Sequence, residues 1–180
     1  YNVGALSIDN LYDTVLYSKE EFLKEFNIDL IKPTILSTFH PETVNFQKNE
    51  FYIDELLSTF DVLLNSYQIV ITLPNIDTMG ELIREKIHAY KKINKKLIVI
   101  ESFGMKGYLS CMKHCCLLLG NSSSGFVEAS FFSKPVVNLG DRQRGRIITS
   151  NIFNTKIIKS EIIETISAIE SLGKLDRNVI

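Results

Sequence analysis

Cys115-Cys116-Leu117-Leu118-Leu119-Gly120-Asn121-Ser122-Ser123-Ser124-Gly125 passes without a break from an apolar run into a serine turn bounded by two glycines. Residues 115–119 read as a buried strand and residues 124–132 as the helix that follows. A strand, a glycine-bearing turn and a helix in succession form the repeating unit of an α/β protein. Working outward, the unit recurs. Strands are predicted over 33–39, 68–73, 97–100, 115–119 and 135–139. Residues 68–73 form a β-branched apolar run around Ile69-Val70-Ile71, as in a strand covered on both faces.

Helices are predicted over 9–26, 49–65, 77–90, 105–113, 124–132 and 160–172. The first has Asp9 as its N-cap, with Leu11, Val15, Leu16, Phe22, Leu23 and Phe26 on one face. The second carries Phe51, Ile53, Leu56, Leu57, Phe60, Leu63 and Leu64 at helical spacing. Such alternation calls for parallel strands with crossover helices. The expected fold is α/β, a Rossmann-like doubly wound parallel sheet, with residues 1–180 as a single domain. No repeat or linker divides the chain.

The composition of the 180 residues agrees, with 45% hydrophobic and 23% charged side chains. With 20 basic against 21 acidic residues, the net charge of -1 argues against nucleic-acid binding. No apolar run approaches the roughly 20 residues that span a bilayer, so no membrane segment is expected. Cys111, Cys115 and Cys116 are odd in number and closely spaced, which reads as reduced, buried thiols in a cytoplasmic protein. With His114 they offer zinc ligands but no second matching pair, so no metal site is expected.

Ligands of doubly wound sheets bind beyond the carboxyl ends of the strands. The segments there are Thr38-Phe39-His40-Pro41-Glu42-Thr43, Pro74-Asn75-Ile76-Asp77, Glu101-Ser102-Phe103-Gly104, the serine turn, and Gly140-Asp141-Arg142-Gln143-Arg144-Gly145-Arg146. All five are polar or contain glycine, and all fall on one rim. Six of the nine glycines lie between positions 104 and 145, which points to the later strands as the ligand side.

At the serine turn, backbone N–H groups, three hydroxyls and a glycine make a phosphate cradle at a helix start. A plain N-cap would need only one serine. Glu128, one turn inside that helix, can accept hydrogen bonds from ribose hydroxyls or simply complement the helix dipole. Arg142, Arg144 and Arg146 suit a diphosphate, since guanidinium forks match phosphate oxygens; a solvated basic turn is the other reading. His40, at a strand end, can contact a leaving phosphate or donate a proton near neutral pH. His88 and His114 read as structural. Ser102 and Phe103 can meet a base through backbone groups and a ring, although Phe103 also suits a core.

Taken together and in order, these loops resemble the hydrolysing UDP-N-acetylglucosamine 2-epimerases of sialic- and legionaminic-acid biosynthesis. The resemblance rests on Gly4-Ala5-Leu6-Ser7-Ile8-Asp9, Thr38 to Thr43, Leu73-Pro74-Asn75-Ile76-Asp77, the serine turn with Glu128, and Pro135-Val136-Val137-Asn138-Leu139-Gly140 with Arg142, Gln143, Gly145 and Arg146. It implies the C-terminal, nucleotide-binding half of a GT-B fold, with the main acid/base carboxylates on an N-terminal domain outside this chain.

For the whole enzyme the resemblance implies elimination of UDP to a glycal-type intermediate, followed by addition of water. The products would be UDP and N-acetylmannosamine or a related sugar. Ser122, Ser123 and Ser124 would hold the phosphates, with Arg142 and Arg146 nearby. Glu128 would bind the ribose, and Ser102 and Phe103 the uracil. Asn75 and Gln143 would line the cleft, and His40 would assist departure of the diphosphate as the one catalytic group in this chain. The implied partner is UDP or a UDP-amino sugar, with no cofactor. The whole protein would be a homo-oligomer, and this chain alone inactive. The sugar stays open between N-acetylglucosamine and diacetylbacillosamine, and the base between uracil and guanine. A donor-binding domain of a GT-B glycosyltransferase is the alternative.

Overall fold

The structure, a computed structural model, describes residues 11, 14–42, 46–75 and 80–176. Six strands form one parallel sheet: β1 (Thr34–Thr38), β2 (Gln68–Thr72), β3 (Ile98–Ile100), β4 (Leu117–Gly120), β5 (Val136–Leu139) and β6 (Ile152–Thr155). Their spatial order is β3-β2-β1-β4-β5-β6, and every neighbouring pair is parallel. That order reverses between β1 and β4, which opens a crevice at their carboxyl ends. Registration of Thr38 with Gly120 places both loops at the same height.

Alternation along each strand feeds two cores. Ile35, Ile69, Ile71, Leu117, Leu119 and Val137 pack against α2 (Asn49–Leu63), α3 (Gly80–Ile93) and α6 (Lys159–Asp176). Leu36, Val70, Leu118 and Val136 face the opposite side. There they join Phe22 of α1 (Lys19–Phe26), Cys111 and Met112 of α4 (Gly104–His114), and Ala129 of α5 (Glu128–Phe131). Because neighbouring side chains in one strand serve opposite cores, the strands carry adjacent apolar residues, such as Ile35-Leu36 and Leu117-Leu118-Leu119, rather than a strict alternation.

Four expectations are corrected. The helix expected over 9–26 is interrupted: Leu11 is helical, residues 14–18 are not, and α1 begins at Lys19; the expected Asp9 cap lies outside the described residues. Ser18 caps α1 instead. Its hydroxyl accepts from Glu21 N–H at 3.1 Å, while the Glu21 carboxylate accepts from Ser18 N–H at 2.7 Å. This capping box holds residue 18 in an extended conformation and stops the helix there. Val15 is accordingly exposed, and so is Leu23 on the outer face of α1.

The helix expected over 124–132 is broken. A 3-10 turn at Ser123–Gly125 precedes the four-residue α5. A Cβ at Gly125 would lie 2.8 Å from Val136 Cγ1, so the turn packs directly on β5. Strand β6 was not foreseen at all: a polar loop, not a helix, leads into it. Finally, Cys111 and Cys115 are buried, but Cys116 is exposed. Burial pushes the Cys115 thiol up to about 12.

Candidate functional site

The crevice between β1 and β4 is organised by Asn121, which is completely buried. Its amide Oδ1 accepts from His40 N–H at 2.7 Å, and its Nδ2 donates to the His40 carbonyl at 2.8 Å. Its own carbonyl accepts from Gln143 Nε2 at 2.8 Å. One side chain and one carbonyl therefore join the loops after β1, β4 and β5. Sequence reasoning missed Asn121 as a strap, although it stands inside the serine motif. Its partners, His40 and Gln143, lie in other loops, so no local signal in the sequence marks it.

Glu42 forms a second strap. Its carboxylate accepts from Arg142 N–H at 3.2 Å, and its backbone exchanges two hydrogen bonds with the Asn49 amide at 2.8 and 3.0 Å. Gly140 has φ +69 and a Cβ there would lie 2.8 Å from Glu42 Oε1, so only glycine lets the carboxylate sit against β5's end. Burial raises the Glu42 pKa above the ordinary carboxylate value, against the lowering effect of the Arg142 N–H and of Asn121.

A raised folded pKa means that the fold disfavours the ionised form. The stability Glu42 contributes is complete below the ordinary carboxylate pKa and falls as pH rises through the raised value. Glu42→Gln keeps an acceptor for Arg142 N–H and removes the charge. Its stability relative to wild type is expected to rise between pH 4 and pH 7.5 in urea unfolding; a constant difference across that range would refute the ionisation argument.

The predicted residues fall on one rim. Ser122 has extended backbone and caps the 3-10 turn, its hydroxyl accepting from Ser124 N–H at 3.4 Å. Ser123 is exposed, and Ser122 and Ser124 are half-buried. The turn therefore offers N–H groups and hydroxyls to the crevice, with little help from a helix dipole, because α5 is only one turn long. Glu128 is the first residue of α5 and half-buried, not one turn inside a longer helix.

Arg142 and Arg146 are exposed, whereas Gln143 is buried through its bond to Asn121. Gln143 thereby anchors the arginine loop. Beside it, a cavity of about 210 Å³ is lined by Asn138, Gln143, Arg144, Arg146 and Asn154. A cavity of about 600 Å³ lies on the other side of Gly140, lined by Glu42, Tyr52, Asp141 and Lys156 among others.

Asn75 and Ser102 are exposed at the ends of β2 and β3. Arg84 links these two ends, donating to the Pro74 carbonyl at 2.9 Å and pairing with Glu101 at 2.6 Å. The ring of Phe103 is buried against Phe22 and Phe26, with centroids 5.4 and 4.9 Å away. The core reading of that ring holds. What this segment leaves exposed at the rim is Ser102, not an aromatic face.

His114 Nε2 lies 3.1 Å from the Tyr17 carbonyl, and burial lowers its pKa, in keeping with a structural role. His88 is exposed on α3. Among the described residues no group of three or more His, Cys, Asp or Glu could hold a metal ion, and no helix is long and apolar enough to cross a membrane.

Against this geometry the comparisons can be set. The sequence pattern of the family described as UDP-N-acetylglucosamine 2-epimerase matches residues 1–178. The GDP/UDP-N,N'-diacetylbacillosamine 2-epimerase (hydrolyzing) of Campylobacter jejuni is 36% identical over 158 residues, covering 87% of this chain and 41% of its own length. The chain thus spans about two fifths of that curated relative. Among solved structures, the UDP-GlcNAc 2-epimerase of Neisseria meningitidis bound to UDP-GlcNAc overlaps with a TM-score of 0.67 at 17% identity, covering 93% of this chain and 44% of that one. The ADP-heptose lps heptosyltransferase II of E. coli shares the fold at a TM-score of 0.63 and 14% identity, covering 89% of this chain and 54% of that one.

Proposed function

Because the chain belongs to the UDP-N-acetylglucosamine 2-epimerase family, we propose that it is the nucleotide-binding domain of a hydrolysing UDP-sugar 2-epimerase. The observation that carries this reading is the Asn121 strap, which gathers the His40 loop, the serine turn and the arginine loop at the sheet's switch point. In the whole enzyme, a base removes the proton from the sugar's second carbon while the bond from the anomeric carbon to the diphosphate oxygen breaks. UDP leaves, and water adds to the resulting unsaturated sugar with inversion at the second carbon. The acid/base carboxylates belong to a further domain, as does the other wall of the cleft. This chain alone binds nucleotide and does not turn over.

Within this domain, turn N–H groups with Ser122 and Ser123 hold the diphosphate, Ser124 backing them through its hydroxyl contact with Ser122 at 3.0 Å, and Arg142 and Arg146 close over it. Charge develops on the departing diphosphate, so prearranged donors lower the barrier. His40, held by its backbone to Asn121, donates to the departing phosphate. Glu128 accepts from the ribose hydroxyls. Ser102 and nearby backbone meet the base, and Asn75 and Gln143 border the cleft. No cofactor takes part. The name of the relative from Campylobacter jejuni supports diacetylbacillosamine linked to UDP or GDP as the substrate, and the family description supports UDP-N-acetylglucosamine. We place the parent enzyme in the cytoplasm as a homo-oligomer serving surface-polysaccharide biosynthesis, binding neither nucleic acid nor membrane.

Calorimetric titration with UDP, with GDP as control, tests the reading. UDP is expected to bind, and Glu128→Ala to weaken it about tenfold or more, the worth of a charged hydrogen bond. Absence of UDP binding, or an unaffected Glu128→Ala variant, would overturn the site. The fold likeness to a heptosyltransferase supports one second reading, a glycosyltransferase donor domain. Release of a free 2-epimerised sugar by the whole parent enzyme without any acceptor separates the two.

A further inference from the structure

Five hydroxyls run in a line from the sheet interior to the serine turn. Thr72 Oγ1 lies 2.6 Å from Thr38 Oγ1, and Thr38 Oγ1 lies 3.3 Å from the Tyr108 hydroxyl. Tyr108 reaches Ser124 Oγ at 2.8 Å, and Ser124 Oγ reaches Ser122 Oγ at 3.0 Å. The five oxygens carry five protons but make only four links. The protons can therefore all point outward, leaving the Ser122 proton for a ligand, or all point inward, leaving the Thr72 proton for the Ser37 carbonyl.

The inward end is poor, because Thr72 Oγ1 is 3.5 Å from that carbonyl. The outward end is good. Ser122 stands half-buried at the rim, where its proton can meet a ligand, and the 3.4 Å contact from Ser124 N–H is too long to decide its orientation. The phenol is also the most acidic hydroxyl of the line and the best donor. Its shorter link is to Ser124, the longer one to Thr38. The surroundings are apolar, Leu36, Leu118 and Val136 among them, which strengthens such a chain. Burial raises the Tyr108 pKa, so the phenol stays protonated near neutral pH.

We propose that Tyr108 is a positioning residue of the phosphate subsite, directing the hydroxyl line outward so that Ser122 donates its proton to the bound diphosphate. Tyr108 touches no substrate; it acts through Ser124. The inference rests on the nucleotide-binding reading above and deepens it at one subsite.

The test is Tyr108→Phe, titrated with UDP by calorimetry and with uridine by NMR, which follows weak binding. UDP affinity is expected to fall about tenfold, the effect of one hydrogen bond to a charged group. Uridine has no phosphates, and its affinity is expected to stay within twofold. Ser124→Ala, which leaves the phenol in place, is expected to give the same phosphate-specific loss. Adding Tyr108→Phe to Ser124→Ala is then expected to cost less than a further twofold, because both act through one link. Equal losses for UDP and uridine would mean a merely structural role and overturn the proposal. So would an unchanged UDP affinity in Tyr108→Phe, or additive losses in the double variant. Wild-type chain that fails to bind UDP would overturn the nucleotide reading and this proposal with it. Wild-type binding with an indifferent Tyr108→Phe variant would overturn this proposal alone.

Discussion

Gly120→Ala is expected to lower the melting temperature by about 10 °C or more, or to prevent folding. A Cβ at Gly120 would lie 2.0 Å from the Thr38 carbonyl oxygen and 2.8 Å from its carbon. Both are backbone atoms of β1, the partner strand in register with Gly120. No rotamer change relieves such a clash. Only separation of β1 from β4, the central pair of the sheet, would make room. The φ of +155 adds strain for any L side chain. A loss of about 4 kcal/mol follows from overpacking of this kind, and a chain of this size melts about 2–4 °C lower per kcal/mol. Gly145→Ala supplies the contrast. Its φ is +90, but nothing lies within 4 Å of the added Cβ. That variant is expected to lose only about 1 kcal/mol, from backbone strain alone. Thermal unfolding followed by circular dichroism compares the two. A Gly120→Ala variant melting within 3 °C of wild type would refute the close-approach argument.

The same glycine shows what the sequence disclosed and what it withheld. That β4 ends at a glycine and turns into serines was legible, because an apolar run and a polar turn are local patterns. So were the other central strands, whose two-sided burial leaves adjacent apolar residues such as Ile35-Leu36, Ile69-Val70-Ile71 and Val136-Val137. The rim loops followed from one topological rule. What stayed hidden depends on contacts between distant positions. The break after Gly125 comes from its packing on Val136. The burial of the Phe103 ring needs Phe22 and Phe26 from α1. Strand β6 has one buried, two half-buried and one exposed residue over only four positions and enters from a loop, so neither length nor periodicity marks it. The late start of α1 was readable in principle, since Ser18 and Glu21 have capping-box spacing; the apolar period upstream outweighed it. The roles of Asn121 and Glu42 were hidden for the physical reason that a strap is defined by what it joins.

Asn121→Ala is the variant expected to damage the site most. It deletes the acceptor of His40 N–H and the donor to the His40 carbonyl in one step. The residue is completely buried, so water does not readily replace these bonds. Losing two such partners costs about 3 kcal/mol, in line with unsatisfied polar groups at buried positions. The Gln143 bond is to the Asn121 backbone carbonyl and survives the change in principle. The expected defect is therefore specific: the His40 loop loosens from the serine turn, while the arginine loop keeps its anchor. UDP affinity is expected to fall at least about thirtyfold, because two loops that contact one diphosphate no longer share a frame. Asn121→Asp separates packing from chemistry. A carboxylate can still accept from His40 N–H, yet it cannot donate to the His40 carbonyl, and it brings negative charge towards the phosphates. Stability is expected to stay nearest to wild type at low pH, where a protonated carboxyl can still donate to the His40 carbonyl. It is expected to fall to or below that of Asn121→Ala above pH 6, where a buried ionised carboxylate faces that carbonyl. UDP affinity is expected to suffer at least as much as in Asn121→Ala. Urea unfolding and UDP titration of the two variants give both quantities. An Asn121→Ala variant that bound UDP within threefold of wild type would show that the loops are held in place without the strap.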